Sequence, residues 1–317
     1  EQVKARGGIV VAVATEGDEF IKSKANYVIS VPPAPELLTP VLTAIPMQTS
    51  LADFIKQTPQ GEEAERILRA CVHCGFCLAT CPTYQLLGDE LDSPRGRIYL
   101  MKQVLEGAPA TAAIQTHLDR CLTCRACETT CPSGVEYGKL LDIGRAVVEQ
   151  QAARPLPQRG QRWLLRQVLP RRRLFAALLG LGQRLRPLLP ASLQKKLPPA
   201  AVDEAAVWPA PPAGSRSMLL LEGCVQPSLA PTINPATARL FADLGIALVR
   251  PAGAGCCGAV AQHNGGNAAA AARRNIDAWW PHIEAGAAAV VINASGCGVQ
   301  VKEYGHLLRN DPAYAGK

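Results

Sequence analysis

Cys71-Val72-His73-Cys74-Gly75-Phe76-Cys77-Leu78-Ala79-Thr80-Cys81-Pro82 recurs 50 residues later as Cys121-Leu122-Thr123-Cys124-Arg125-Ala126-Cys127-Glu128-Thr129-Thr130-Cys131-Pro132. A loop with three thiolates at three-residue steps wraps three corners of an iron–sulfur cubane. A fourth cysteine, followed by a proline that turns the chain away, supplies a corner of the other cluster. The spacing therefore predicts two [4Fe–4S] clusters with exchanged ligands: Cys71, Cys74, Cys77 and Cys131 on one, Cys121, Cys124, Cys127 and Cys81 on the other. Interlocked loops would hold the two close enough for an electron to hop between them. Zinc is the competing occupant, since it also favours tetrahedral thiolates, but zinc modules usually present separated cysteine pairs rather than a triplet plus Cys-Pro occurring twice. His73 and His117 lie near these loops and read as packing or hydrogen-bonding residues, because both cubanes already have four cysteines.

Working outward, 317 residues suffice for two or three domains. Eight of the 12 cysteines sit in the two dense groups, too closely spaced for most pairs to meet disulfide geometry. That favours metal thiolates in a reducing compartment. No secretory signal pattern opens the chain, and the apolar stretch Leu174 to Gly182 is too short to span a bilayer. A cytoplasmic protein is expected, peripheral at most. The net charge of +7 is unevenly placed. Residues 151–200 hold nine Arg, two Lys and no acid, which leaves about −4 for the remainder.

Four regions follow. Residues 1–46 read as an α/β fragment: a strand over Gly8 to Ala14, a strand over Tyr27 to Val31 and a helix around Leu37 to Ile45. Residues 47–150, with a helix over Glu62 to Ala70, form a two-cluster, ferredoxin-like helical domain. Residues 151–214 are a Pro/Arg/Leu-rich arm cut by prolines into short amphipathic helices. Residues 215–317 alternate strands (Met218 to Leu221, Ile246 to Val249, Ala288 to Ile292) with helices (Ala236 to Leu244, Asn267 to Trp280 and a final one), which implies a parallel sheet. The fold class is thus α/β and α+β.

The other four cysteines each follow one of these strands: Cys224, the pair Cys256 and Cys257, and Cys297. Carboxyl ends of strands build the site in open α/β sheets, so four thiols from three loops should converge on one crevice. Gly253, Gly255 and Gly258 spell a G-x-G-x-x-G, but two of its variable positions are cysteines and the acidic Asp277 falls inside an expected helix. Nucleotide binding is set aside.

The pattern of Cys224, Cys256-Cys257-Gly258 and Cys297 resembles the cysteine-rich domain of heterodisulfide-reductase-type and glycolate-oxidase-type iron–sulfur proteins. That family often ends the pattern with Cys-x-x-Cys, whereas here Gly298, Val299 and Gln300 follow Cys297. Redox chemistry by thiols, an extra cluster, or a structural role all remain open for this site. Residues 47–317 are similar to the iron–sulfur subunit family of glycolate oxidase (glycolate dehydrogenase) through Leu68 to Cys77, Asp92-Ser93-Pro94-Arg95-Gly96-Arg97, Asn275 to Trp280 and Ala294-Ser295-Gly296-Cys297. The resemblance implies an electron-transfer subunit without a complete catalytic site of its own. Separate flavoprotein subunits carrying FAD would oxidise glycolate to glyoxylate, and electrons would pass through this chain to a membrane quinone. Family members carry a second Cys-Cys-Gly repeat, so the chain reads as shortened at its C-terminus. Val3 to Gly8 and Thr43 to Gln48 resemble the sugar-isomerase lobe of glutamine–fructose-6-phosphate aminotransferase, so residues 1–46 read as a fusion, an artefact or a natural extension, with Met47 as a start. A lactate or glycerol-3-phosphate dehydrogenase could use the same cluster motifs. A zinc-stabilised module binding nucleic acid through the basic arm is the reading from another class; no nucleic acid is expected on the first. For Arg154 to Lys196 the choices are a solvated linker, an acidic flavoprotein partner, or an interfacial helix on the inner face of the bacterial plasma membrane.

Overall fold

The structure, a computed structural model, describes residues 11–15, 27–31, 47–195, 197–199, 207–212 and 214–317. The expected helix at Leu37 to Ile45, the first residues of the strand expected from Gly8, and Lys196 lie outside them. The chain divides into two compact units. One comprises the described parts of 1–110 with 116–120 and 125–147, and the other comprises 111–115, 121–124 and 148–317.

In the first unit, strands β1 (Val11–Thr15) and β2 (Tyr27–Val31) pair in parallel, with Val11 opposite Tyr27. The helices are α1 (Asp53–Lys56), α2 (Pro59–Ala70), α3 (Pro82–Leu87), α4 (Pro94–Leu105), α5 (Ala112–Asp119, shared between the units), α6 (Ala126–Thr130) and α7 (Tyr137–Gln151, whose last turn belongs to the second unit). The starts of α2 and α4 are written in the sequence. Thr58 and Ser93 accept hydrogen bonds from the amides of Gly61 and Gly96 at 3.0 and 2.9 Å, and a proline occupies the first helical position of each. Ile67, Leu68, Met101, Val104, Leu105, Leu118, Leu140 and Leu141 are each buried. Helices α4 and α7 approach so closely that a Cβ on Gly144 would lie 2.5 Å from Met101 Sδ.

A charged knot sits inside this apolar packing. Asp92 and Arg97 are 0 % and 1 % exposed. Asp92 Oδ1 lies 3.2 Å from Arg97 and 3.0 Å from His117 Nδ1, while Oδ2 accepts from Arg120 at 2.8 Å. Arg97 also donates to the His117 carbonyl at 2.7 Å and to Thr83 Oγ1 at 3.0 Å. Burial opposes ionisation of Asp92, but the hydrogen bonds from His117 and Arg120 and their positive charges outweigh it and hold the carboxyl below its ordinary range.

The second unit carries the arm and a three-stranded parallel sheet. The arm forms α8 (Leu156–Val168), α9 (Arg172–Leu185), a 3-10 turn and α10 (Ala191–Gln194), matching the short helices expected. Then come β3 (Arg216–Leu221), α11 (Gln226–Leu229), α12 (Ile233–Asp243), β4 (Ile246–Val249), α13 (Ala259–His263), α14 (Ala269–Glu284), β5 (Val290–Ile292), α15 (Ser295–Lys302) and α16 (Tyr304–Leu307). Strand order is β4-β3-β5, with Arg216 opposite Ile246 and Leu219 opposite Val290. Successive β3 side chains point to opposite faces. Leu219 and Leu221 pack with Ala272, Ile276 and Trp279 of α14, whereas Leu220 packs with Ala238 of α12 and Leu248. Arg172 at the start of α9 pairs with Glu222 at 2.8 Å, so part of the arm's charge is answered within the unit.

Replacing Asp92 by Asn should leave Arg97 buried without its counter-charge and cost about 3–5 kcal/mol, read as a lowered unfolding midpoint. Because the folded value lies below the unfolded one of about 3.9, Asp92 stabilises above about pH 4, and that contribution is lost as pH falls through the lowered folded value. Acid titration of stability should therefore be shallower in the variant than in the unaltered chain.

Candidate metal centres and thiol crevice

Helix α2 runs directly into Cys71, and from there the loop is shaped by two left-handed residues, His73 at φ 55° and Gly75 at φ 85°. The second motif repeats the same two conformations 50 positions on, at Thr123 (φ 53°) and Arg125 (φ 57°). Left-handed backbone is costly for any residue with a Cβ, and most of all for a β-branched one. Its recurrence with different side chains marks it as a requirement of how the loop presents its thiols. The 3-10 turn Phe76–Leu78 and helix α6 occupy corresponding places in the two motifs and pack on each other, with Thr80 Oγ1 donating to the Ala126 carbonyl at 3.3 Å.

Within the first unit one pocket is lined by Cys71, Cys74, Cys77 and Cys131, with Cys127 also on its wall. These are the four cysteines that the spacing assigned to the first cluster. Burial pushes the Cys71 thiol up and the Cys77 thiol up to about 11. Arg95 is the cation at this pocket. It pairs with Glu90 at 2.8 Å, reaches the His73 carbonyl at 3.4 Å, and its guanidinium lies 3.0 Å from where a Cβ on Gly75 would be. His73 packs edge-on against Tyr99, and burial lowers its pKa, in keeping with a packing role.

The other four cysteines are divided between the two units. Cys81 and Cys127 are buried in the first unit, while Cys121 and the exposed Cys124 belong to the second. Cys81 Sγ lies 3.2 Å from Thr83 Oγ1, which donates to the Asp92 carbonyl at 3.0 Å. His117 is a hydrogen-bond partner of Asp92. Asp89, Asp92 and His117 bring ligand-type atoms within 4.8 Å of one another, but both Asp92 oxygens are already held by Arg97, His117 and Arg120.

In the second unit each remaining cysteine follows the carboxyl end of a strand: Cys224 after β3, Cys256 and Cys257 after β4, and Cys297 in the first turn of α15 after β5. They converge. Cys257 Sγ donates to Cys297 Sγ at 3.1 Å, and Gly258 N donates to Cys256 Sγ at 3.4 Å. Hydrogen bonds from Cys224 and Cys257 pull the Cys256 thiol down to about 3, and Cys257 likewise lowers Cys297. As donors, Cys224 and Cys257 are pushed up, with burial adding to the effect.

Two side chains that the sequence reading did not single out hold this crevice. Asn275, fully buried, accepts from Gly255 N at 2.8 Å and donates to the Cys256 carbonyl at 3.1 Å and to Tyr304 Oη at 2.9 Å. Tyr304 in turn donates to the Cys257 carbonyl at 2.8 Å. Gly258, at φ 90°, would bring a Cβ within 2.7 Å of Ala268 Cβ, which explains a glycine after the cysteine pair without a nucleotide. Asp277 lies within α14, as expected, and accepts from Tyr314.

Residues 67–135 match the 4Fe-4S dicluster domain, and residues 218–302 match the family described as cysteine-rich domain. The chain is 59% identical over 274 residues to the glycolate oxidase iron-sulfur subunit of Escherichia coli (strain K12), covering 86% of this chain and 67% of the relative. It is 34% identical over 291 residues to the probable glycolate oxidase iron-sulfur subunit of Bacillus subtilis (strain 168), covering 83% of this chain and 64% of the relative. It thus spans about two thirds of the length of these relatives. Over 48 residues, 15% of this chain, it is 50% identical to 8% of the glutamine--fructose-6-phosphate aminotransferase [isomerizing] of Thermus thermophilus. No solved structure matches the chain. With its dicluster domain followed by a cysteine-rich domain and this level of identity, the chain belongs to the glycolate oxidase iron–sulfur subunit family.

Proposed function

We propose that this chain holds two [4Fe–4S] clusters, on Cys71, Cys74, Cys77 and Cys131 and on Cys121, Cys124, Cys127 and Cys81, and relays electrons from FAD-bearing flavoprotein subunits that oxidise glycolate to glyoxylate toward a membrane quinone. The observation that carries it is the pocket lined by three thiols of the first motif together with the fourth thiol of the second, Cys127 of the second motif also standing on its wall. When bound, such clusters supply one-electron steps. The chain's own part is to present thiols at fixed spacing, to set Arg95 beside them as a counter-charge to thiolates, and to bury Cys71 and partly bury Cys77. Hydride removal from a hydroxy acid needs a flavin or nicotinamide, which this reading assigns to a partner subunit. Glycolate is favoured over lactate and glycerol 3-phosphate by the printed names of both relatives. The crevice of Cys224, Cys256, Cys257 and Cys297 is proposed as a further redox or cluster site, supported by four converging sulfurs, two of them with lowered pKa.

The arm is proposed to rest on the cytoplasmic face of the membrane. Leu174, Leu178, Leu181 and Leu185 recur along one face of α9 and are 40–53 % exposed, directly after Arg171, Arg172 and Arg173. Cations beside an exposed apolar stripe are the pattern of an interfacial helix. No described helix is long and apolar enough to cross a membrane.

Anaerobically prepared protein should contain about eight iron and about eight sulfide per chain. Cys131→Ser should perturb the same cluster signal as Cys71→Ser, and Cys81→Ser the other. Stoichiometric zinc without labile sulfide would overturn the cluster reading, and iron above about eight that falls on Cys256→Ser would mark the crevice as a metal centre. In the co-purified complex, glycolate should bleach the cluster absorbance faster than lactate or glycerol 3-phosphate; equal rates would leave the substrate open to either rival. For the arm, sedimentation with anionic vesicles should be lost on changing Leu174, Leu178 and Leu181 to Gln and weakened by salt. Equal indifference to anionic and neutral vesicles would reject the membrane reading.

A further inference from the structure

Arg95 is the one charged side chain among the described residues that line the pocket of Cys71, Cys74, Cys77 and Cys131. It reaches the pocket from the first turn of α4, whose Pro94 and Ile98 stand on the same wall. Two hydrogen bonds hold the guanidinium there. Its Nε donates to Glu90 Oε1 at 2.8 Å, and its Nη1 donates at 3.4 Å to the His73 carbonyl, inside the first cysteine loop. Ser93 Oγ donates to the same Glu90 oxygen at 3.1 Å, so the carboxylate is itself fixed. Glu90 answers the cation from outside, being the more exposed of the two and not a lining residue. The ion pair therefore turns its positive end toward the thiols. The Arg95 backbone adds a hydrogen bond to the Cys77 thiol, at the positive end of the α4 dipole.

A cubane held by four thiolates is an anion, and the electron it accepts adds to that charge, so its potential depends on the charges and hydrogen bonds around it. A fixed cation beside it favours the more negative, reduced state, the more so where burial limits screening. We propose that Arg95 sets the reduction potential of the first cluster, raising it relative to the second and so drawing an electron shared by the two toward Cys71, Cys74, Cys77 and Cys131. Cys127, a ligand of the other cluster on the same reading, also stands on this wall, but it is one thiol of that set, against all four of the first. The inference rests on the reading that these cysteines hold clusters and adds a direction to the relay.

The test is a redox titration of the full, anaerobically prepared chain, followed by electron paramagnetic resonance and absorbance. The midpoint of the first cluster is the one whose signal changes in Cys71→Ser. Arg95→Gln keeps the backbone hydrogen bond to Cys77 and removes the charge, and should disfavour reduction of that cluster by about tenfold, about 59 mV for a one-electron couple. The other midpoint should move clearly less. Arg95→Lys keeps the charge and should restore most of the loss. Lys56→Gln removes an exposed cation of the same unit that does not line the pocket, and should leave both midpoints in place. An unmoved first midpoint, equal shifts in both, or a Lys variant as low as the Gln variant overturns the inference. Should Arg95→Gln lose iron, combining it with Glu90→Gln removes the ion pair whole and leaves no unpaired carboxylate. The first midpoint should again fall, because the nearer member of the pair is the cation. A rise, or loss of the first cluster in this variant too, assigns Arg95 to assembly and overturns its role in the potential. Clusters present with unmoved midpoints defeat this inference alone, whereas an unaltered chain without iron and labile sulfide defeats the cluster reading and this inference with it.

Discussion

The first unit depends on one buried carboxylate. Asp92 gathers Arg97, His117 and Arg120, and through Arg97 it also fixes the His117 carbonyl and the Thr83 hydroxyl. Taking these charges out of water is expensive, and the arrangement is tolerable only because each partner is matched. The return on that cost is location. Thr83 and the Asp92 carbonyl stand against Cys81, the last cysteine of the first motif, while His117 and Arg120 are the residues leading into the second. The knot therefore ties the exit of one cysteine loop to the entrance of the other, which apolar packing, being non-directional, does less specifically.

Directional constraint also explains the backbone of the two loops. Three thiols three residues apart can face one point only if the intervening peptides turn sharply, and both loops do so with left-handed residues at the same two steps. Gly75 does this at no steric cost, whereas Arg125 at the corresponding step is strained. The Arg125 side chain has a compensating place, packed over Gly138, whose amide is held by Glu128 at 2.6 Å. Burial raises Cys71 and Cys77, so loading metal there must displace protons that the folded chain holds tightly. Arg95, beside the same thiols, opposes that penalty.

The cysteine spacing and the strand–helix alternation were legible because they are local signals. They placed β4 at its observed limits and put every late cysteine after a strand. Boundaries slipped where local and tertiary preferences compete. A helix ending at Trp280 is the natural reading before Pro281, yet α14 continues to Glu284. In the last turn the loss of one amide donor is small, and Trp280 Nε1 donates to Glu284 at 2.8 Å across it. The knot around Asp92 and the Asn275–Tyr304 clamp were not legible. Their partners are up to 28 and 47 residues apart, and an Asp, an Asn or a Tyr in a sequence carries no sign of what it will meet.

The thiol crevice draws its character from the same kind of long-range pairing. Hydrogen bonding among four chemically identical residues favours charge on Cys256 and Cys297 and opposes it on Cys224 and Cys257. Gly258 N and the nearby Arg274 favour charge on Cys256, while the Asn275–Tyr304 clamp fixes the loop that carries the pair. Where a Cys-x-x-Cys ending would place one more thiol, Gln300 stands buried, a neutral amide that adds no charge to the sulfurs. The crevice thus balances protons against thiolates among its own members. Interacting groups of this kind titrate as a set, so any event that consumes one thiolate, whether metal binding or oxidation, redistributes the protons of the other three.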